Sequence, residues 1–148
     1  MSSPRVFPDR KTVVLPARAD VLRLVPQAKA FAVNGQNFMA LPHAPDVTRL
    51  LFNMGVRIPE PIRYYYDWVG TKPFSSQIDT AALMTTHRRA FILNEMGTGK
   101  TRASLYAFDF LRKLGKAKRL LVVAPLSTLV SVWEDEVFRN FHHLTTVV

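Results

Sequence analysis

The sequence predicts an α/β protein in two parts. A small α+β accessory module occupies residues 1–55, and an incomplete α/β domain built on a parallel sheet occupies residues 74–148. Three observations carry this. Of the ten prolines only Pro125 lies beyond residue 73, so short elements joined by turns come first and longer regular elements come after. Asn34-Gly35 separates two apolar-rich runs, a hairpin signal because both residues accept positive φ. The apolar run "RAFIL" leads through a glycine loop into a long helical stretch and then into a second apolar run, "KRLLVVAP". Strand, helix, strand is a βαβ unit, which implies a parallel sheet and a right-handed crossover.

In the first part, "TVVLP" reads as a short strand and "ARADVLRLVPQ" as a short helix with Asp20 as its N-cap. The hairpin "AKAFAVNGQNFMALP" comes next, then the helix "APDVTRLLFNMG", starting near Asp46 and ended by Gly55. A core this small is marginal alone, so the module is expected to dock on the second part of the chain. Residues 56–73 read as a linker carrying Tyr64, Tyr65, Tyr66 and Trp68. These rings could stack bases or pin the linker onto the second part. Three consecutive tyrosines cannot all face one way, which favours pinning.

In the second part, "SSQIDTAALMTTH" reads as a helix with Ser76 and Asp79 at capping-box spacing. "RAFIL" is a buried strand, "GKTRASLYAFDFLRKLG" a helix stopped by Gly115, and "KRLLVVAP" a second buried strand. "STLVSVWEDEVFRNF" is a helix, and "TTVV" opens a third strand. There is no internal repeat.

Bulk composition narrows the function. Without cysteine there is neither a disulfide framework nor a thiolate metal site. Adjacent His142 and His143 diverge in a helical turn and read as a solvated helix end rather than a zinc pair. No secretory leader or run of about 18 apolar residues is present, so the expectation is a soluble, cytoplasmic protein without membrane contact. A formal charge of +9 favours polyanion partners, nucleic acid first.

The stretch "FILNEMGTGKT", residues 91–101, carries the chemistry. It matches the P-loop pattern except at its first position, where Asn94 replaces glycine. A strand enters and a helix leaves, as phosphate binding needs: loop N–H groups turn inward, and the helix start adds unpaired N–H groups and the positive dipole end. Gly97 and Gly99 allow backbone shapes and close approaches that a Cβ would block. Lys100 would reach the β- and γ-phosphates of ATP, and Thr101 would offer its hydroxyl to Mg²⁺. Asn94 is tolerable because it takes left-handed geometry well and stands farthest from those phosphates. The bland alternative is a glycine turn that merely caps a helix.

"NEMGTGKT" resembles motif I of the Swi/Snf-type ATPases among the superfamily-two helicases, where an acidic residue usually stands at the position of Asn94. "LLVVAPLSTLVSVWEDEVFRNF" resembles motif Ia of the same group, and Gln77 in "KPFSSQ" falls where these proteins place a glutamine that reads adenine. The agreement spans residues 72–148, and the stretch 55–141 looks most like helicases of this type encoded by bacteriophages, which would place the protein in the host cytoplasm.

The resemblance implies a RecA-like domain. It implies that Gln77 contacts adenine with Phe74 stacking nearby, and that Glu95 and Met96 shape the loop. The nucleotide would be held by Gly97, Thr98, Gly99, Lys100, Thr101 and Arg102. Ser127 and Thr128 would meet the DNA backbone, a role compatible with simple helix capping. Trp133 reads as core. The basic turn Lys113, Lys116, Lys118 and Arg119 could attract DNA or be solvated surface.

The family's hydrolytic Asp-Glu pair at a later strand end, and the arginines of a second motor domain, are not found in these residues. Asp135-Glu136 lies inside the motif Ia helix instead. The expectation is therefore the N-terminal portion of a helicase or translocase, lacking its C-terminal motor domain. Alone it would bind Mg-ATP and hydrolyse it negligibly. The second reading is a complete, truncated nucleotide- or DNA-binding regulatory module.

Overall fold

In the computed structural model, which describes residues 3–148, the chain divides into two compact units, Met1–Tyr65 and Tyr66–Val148. Residues 56–65 thus fall within the first unit and residues 66–73 within the second.

The first unit is an antiparallel sheet with helices on one face. Its strands are β1 (Arg5–Phe7), β2 (Thr12–Pro16), β3 (Lys29–Val33) and β4 (Gln36–Pro42), in the order β1-β2-β4-β3. A single 3-10 turn, Pro8–Arg10, joins β1 to β2. The helices are α1 (Ala19–Leu24), α2 (Pro45–Asn53) and the short α3 (Ile62–Tyr65). Asn34 and Gly35 have φ of 50° and 75°, the primed hairpin turn that the dipeptide signals. Alternation does the rest: Val13 and Leu15 of β2 and Met39 and Leu41 of β4 turn to one face. There they form a core with Val21 and Val25 around α1 and Leu51 of α2.

β1 escapes sequence reading because three residues are too few to show a period. The α1 cap also differs from expectation: Arg18 is the N-cap and Asp20 lies inside the first turn. Its carboxylate accepts the N–H of Val21 at 3.0 Å and pairs with the Arg18 guanidinium at 2.6 Å.

His43 is buried in this unit. Its Nε2–H donates to the carbonyl of Pro59 at 2.7 Å, which leaves Nδ1 to accept the hydroxyl of Tyr65 at 2.8 Å. That bond fastens Tyr65 within the first unit.

The second unit contains α4 (Ser75–Thr86), α5 (Lys100–Lys113), α6 (Leu126–Thr128) and α7 (Asp135–Asn140), the last two joined by a π-helical stretch, Leu129–Glu134. α4 and α5 pack together through small residues, with Ala81, Ala82 and Ala103 fully buried. Beneath them Tyr66 and Trp68 make edge-on contacts with Tyr106, and Tyr106 in turn touches Phe141. The aromatics of the expected linker are therefore pinned, Tyr65 in one unit and Tyr66 and Trp68 in the other.

The expected parallel sheet is not formed among the described residues. Among the described residues, "RAFIL", "KRLLVVAP" and "TTVV" form no ladder, and the only sheet is the antiparallel one of the first unit. Phe91, Leu121 and Val147 are 92%, 87% and 96% exposed, where buried strands were expected. Apolar composition makes such runs competent as strands. A parallel strand is stable only between hydrogen-bonded neighbours with both faces covered, and neither condition holds here. Residues 118–122 and 144–148 instead line one hollow, together with Leu105, Phe108 and Trp133.

His143 also differs from expectation. His143 lies beyond α7 and bonds to Asp109 at 2.7 Å, so it is no solvated helix end. Asp109, on α5, is completely buried; it accepts the Tyr66 hydroxyl at 2.8 Å and pairs with Lys113 at 3.0 Å. Burial alone would raise its pKa, but the hydrogen bonds from His143, Lys113 and Tyr66 outweigh this and hold the carboxyl below its ordinary value.

Candidate nucleotide site

The loop between α4 and α5 is built from three local interactions. Gly97 and Gly99 have φ of 79° and 73°, left-handed values that favour glycine, and Gly99 is the N-cap of α5. Thr98 donates its hydroxyl to the Glu95 carbonyl at 2.9 Å, closing the turn. Lys100 folds its side chain back across the loop, and its ammonium donates to the carbonyls of Asn94 at 2.9 Å and Glu95 at 2.7 Å. A cation at the centre of a glycine loop, at the first turn of a 14-residue helix, is the donor set that suits a polyphosphate. Neutral carbonyl acceptors would give way to charged phosphate oxygens, whose bonds to an ammonium are about twice as strong.

α4 backs the loop. Asn94 donates its side-chain amide to the Thr80 hydroxyl at 2.9 Å, and Thr80 donates in turn to the Ser76 carbonyl at 2.7 Å. The side chain at the position of the missing glycine thus anchors the loop to the preceding helix. Thr80 was not singled out in the sequence; a threonine in an apolar helix face gives no signal until its partner is known.

Gln77 is buried, and its Oε1 accepts the N–H of Phe74, the residue that caps α4. This replaces the expected Ser76/Asp79 cap: the amide of Gln77 reaches the orphan N–H of Phe74 at 2.9 Å. The Nε2 of Gln77 lies against Gly99, in the space that a Cβ there would need. Phe74 is exposed, with its ring open to solvent beside this glutamine.

The remaining expected residues are dispersed. Glu95 and Met96 are exposed, Glu95 acting on the loop through its carbonyl. Thr101 occupies the first turn of α5, half-buried. Arg102 turns away to Glu136 of α7 at 2.5 Å and to the Thr71 hydroxyl, and the Glu136 carboxylate holds its pKa above the usual value. Glu136 also accepts from Asn140 at 2.8 Å, while Asp135 pairs with Arg139 at 2.8 Å. The one Asp-Glu run of the chain is therefore engaged in fastening helices. Ser127 is exposed in α6, and Thr128 donates its hydroxyl to the Pro125 carbonyl at 2.8 Å. Among the described residues, no group of acidic and histidine side chains could itself hold a metal ion. No helix among them is long and apolar enough to cross a membrane.

A glycine loop opening a long helix, backed by a glutamine from the helix before it, is an arrangement suited to a bound phosphate. The family comparison makes this particular. The family model described as type III restriction enzyme, res subunit, matches residues 63–146, more than half of the chain, and the chain belongs to that family. No curated protein and no solved structure matches it. At the level of the family, the domain is helicase-like, with ATP-dependent action on DNA as its function and ATP with Mg²⁺ as its general cofactors.

Proposed function

We propose that this chain supplies the nucleotide-binding portion of an ATP-driven DNA helicase or translocase of the Swi/Snf type, encoded by a bacteriophage. The observation that carries the reading is the Lys100 ammonium held at the centre of the glycine loop by the Asn94 and Glu95 carbonyls. Mg-ATP would be held by residues 97–101, with Lys100 on the β- and γ-phosphates and the Thr101 hydroxyl on the metal. The metal would bridge and neutralise phosphate oxygens. Gln77 and Phe74 stand side by side for the adenine, one by its amide and one by its exposed ring. Ser127 and Thr128 are assigned to the DNA backbone.

In this reading the extended runs 90–93, 119–124 and 145–148 become neighbours in a RecA-like parallel sheet once strands lie on both sides of them. They already share apolar composition, and the last two share one hollow. The hydrolytic acidic pair and the arginines of a partner motor domain must come from outside these residues, because Asp135 and Glu136 are occupied by Arg139 and Arg102. These residues alone bind Mg-ATP and turn it over negligibly. That occupancy equally favours a second reading, a nucleotide-binding module that regulates another motor without hydrolysis.

Titration with a fluorescent ATP analogue tests the proposal. Saturable, Mg²⁺-dependent binding that Lys100→Ala weakens at least ten-fold is expected. Binding indifferent to Lys100 and to Mg²⁺ would sink it. Should binding hold, DNA-stimulated turnover by these residues alone would exclude the need for outside catalytic groups.

A further inference from the structure

The first unit carries a surface that the nucleotide site does not use. Its helices cover one face of the sheet, and the other face is open. Strand register fixes what stands there, since directly paired residues point to the same side. Arg5 pairs with Val14, Val14 with Ala40, and Ala40 with Lys29, so one row crosses all four strands with a cation at each end. The cations stand about 14 Å apart, three strand spacings, with small apolar residues between them.

One row to one side, Phe38 pairs with Phe31, and their rings stack with centroids 6.0 Å apart. One row to the other side stands Phe7, with the Arg5 guanidinium 6.0 Å from its ring centre. Phe7 and Phe31 are each 40% exposed, although nothing in the sheet obliges them to face water.

No acidic residue occurs on any of the four strands, and neither Arg5 nor Lys29 makes an ion pair among the described residues. The whole unit carries nine Lys and Arg against four Asp and Glu, a net charge of +5 counted over residues 1–65.

We propose that this open sheet face binds single-stranded DNA, with bases stacking on the phenylalanines and phosphates meeting Arg5 and Lys29. Flat aromatic rings flanking a row of cations are what an unpaired strand requires. Bases need π faces and the backbone needs positive charge, and a rigid duplex offers its phosphates but not its base faces. A protein partner with an apolar patch would satisfy the phenylalanines but would leave the cations unmatched unless it were acidic. Charge complementarity favours the polyanion. DNA rather than RNA is the assignment because the inference rests on the DNA-directed function proposed above.

The test is fluorescence anisotropy of a labelled 20-nucleotide oligothymidine with the full chain in the absence of nucleotide. Phe31→Ala and the pair Arg5→Glu with Lys29→Glu should each raise Kd about ten-fold or more, and a blunt duplex should compete poorly. Phe31→Tyr should restore binding. The charge pair also guards against trivial unfolding, because both side chains are exposed and bury no core. Unchanged oligothymidine affinity in a folded charge-pair variant, or no binding by the unaltered chain, overturns the proposal. So does oligouridine binding more than ten-fold tighter than oligothymidine, or a self-association in sedimentation that the same variants abolish while DNA binding persists. Because ATP-analogue binding is read separately, failure of the nucleotide reading leaves this outcome legible.

Discussion

The side-chain amide of Gln77 occupies the space that a Cβ on Gly99 would need, so the helix before the loop packs against the N-cap of the helix after it. A Cβ at position 99 would collide with that amide, and the left-handed φ of 73° would strain any side chain besides. Left-handed geometry costs a non-glycine residue about 1–2 kcal/mol. Gly99→Ala is therefore expected to lower the unfolding midpoint by several degrees and to weaken ATP-analogue binding at least ten-fold. Adding Gln77→Ala should recover part of the stability, since it removes the collision and leaves the strain. A double variant no better than Gly99→Ala in thermal unfolding would show that Gln77 does not restrict the loop.

Lys100 spends its ammonium on two loop carbonyls that are solvent-accessible, so its removal should affect binding far more than folding. Charge-assisted bonds to phosphate contribute about 1.5–3 kcal/mol. Lys100→Ala should thus weaken Mg-ATP analogue binding roughly ten- to hundred-fold while shifting the unfolding free energy by less than about 0.5 kcal/mol. Calorimetric titration and denaturant unfolding of the same variant separate the two effects.

Arg102 gives the opposite expectation. Its guanidinium joins α5 to α7 through Glu136, so Arg102→Ala or Glu136→Gln should destabilise the second unit by about 1–3 kcal/mol. Intrinsic nucleotide affinity, measured well below the unfolding midpoint, should change less than two-fold for Glu136→Gln. A larger loss of affinity in the glutamine variant would mean that this ion pair orients the loop.

Asp109 is buried with three partners, of which Lys113 and His143 remain partly solvated, so replacing its carboxylate costs about 1–3 kcal/mol. Asp109→Asn should fall in that range by denaturant unfolding, and His143→Ala should cost less because Tyr66 and Lys113 remain. The pH dependence comes from the lowered pKa of this carboxyl. Its contribution is fully present above the ordinary carboxylate value of about 3.9 and is lost as pH falls through the lower native value. The asparagine variant should flatten that acid limb.

His43 titrates in a separate window. Burial is the main cause that pushes its pKa below the ordinary value, outweighing the bond to Pro59. The folded chain therefore keeps the ring neutral, with Tyr65 donating to Nδ1. As pH falls below about 6.5 the unfolded chain takes up the proton first, so stability declines until the native ring also protonates. Thermal melts at pH 7.5 and 5.5 should show a drop that His43→Gln reduces. Equal drops in both proteins would assign the effect elsewhere.

Some of this was readable from local rules. Asn34-Gly35 specified its hairpin because positive φ is a local requirement, and Gly97, Gly99 and Gly115 marked loop and helix ends for the same reason. α4 and α5 came from uninterrupted helix-forming stretches between breakers. The capping of α4 was misread because the N-cap lies two residues before Ser76, at Phe74, whose N–H the Gln77 amide accepts, and a phenylalanine at the N-cap gives no sequence signal. Asp109 resembled any polar residue on an amphipathic helix until Tyr66, 43 positions earlier, and His143, 34 positions later, were seen to converge on it.

What the sequence determined by itself is the Asn34-Gly35 hairpin, the helices α1, α2, α4 and α5, the loop that joins α4 to α5, and a helicase-like family. These depend on backbone propensity, turn chemistry and motif spacing, all of which act within a few residues. Tertiary structure alone decided that Gln77 backs Gly99, that Arg102 serves Glu136, and that an all-antiparallel sheet exposes phenylalanines on either side of a row ending in two cations. It also decided that apolar runs such as "RAFIL" stay open. A strand becomes part of a sheet only when a neighbour supplies its hydrogen bonds and a covering layer buries its side chains, and both are properties of distant residues.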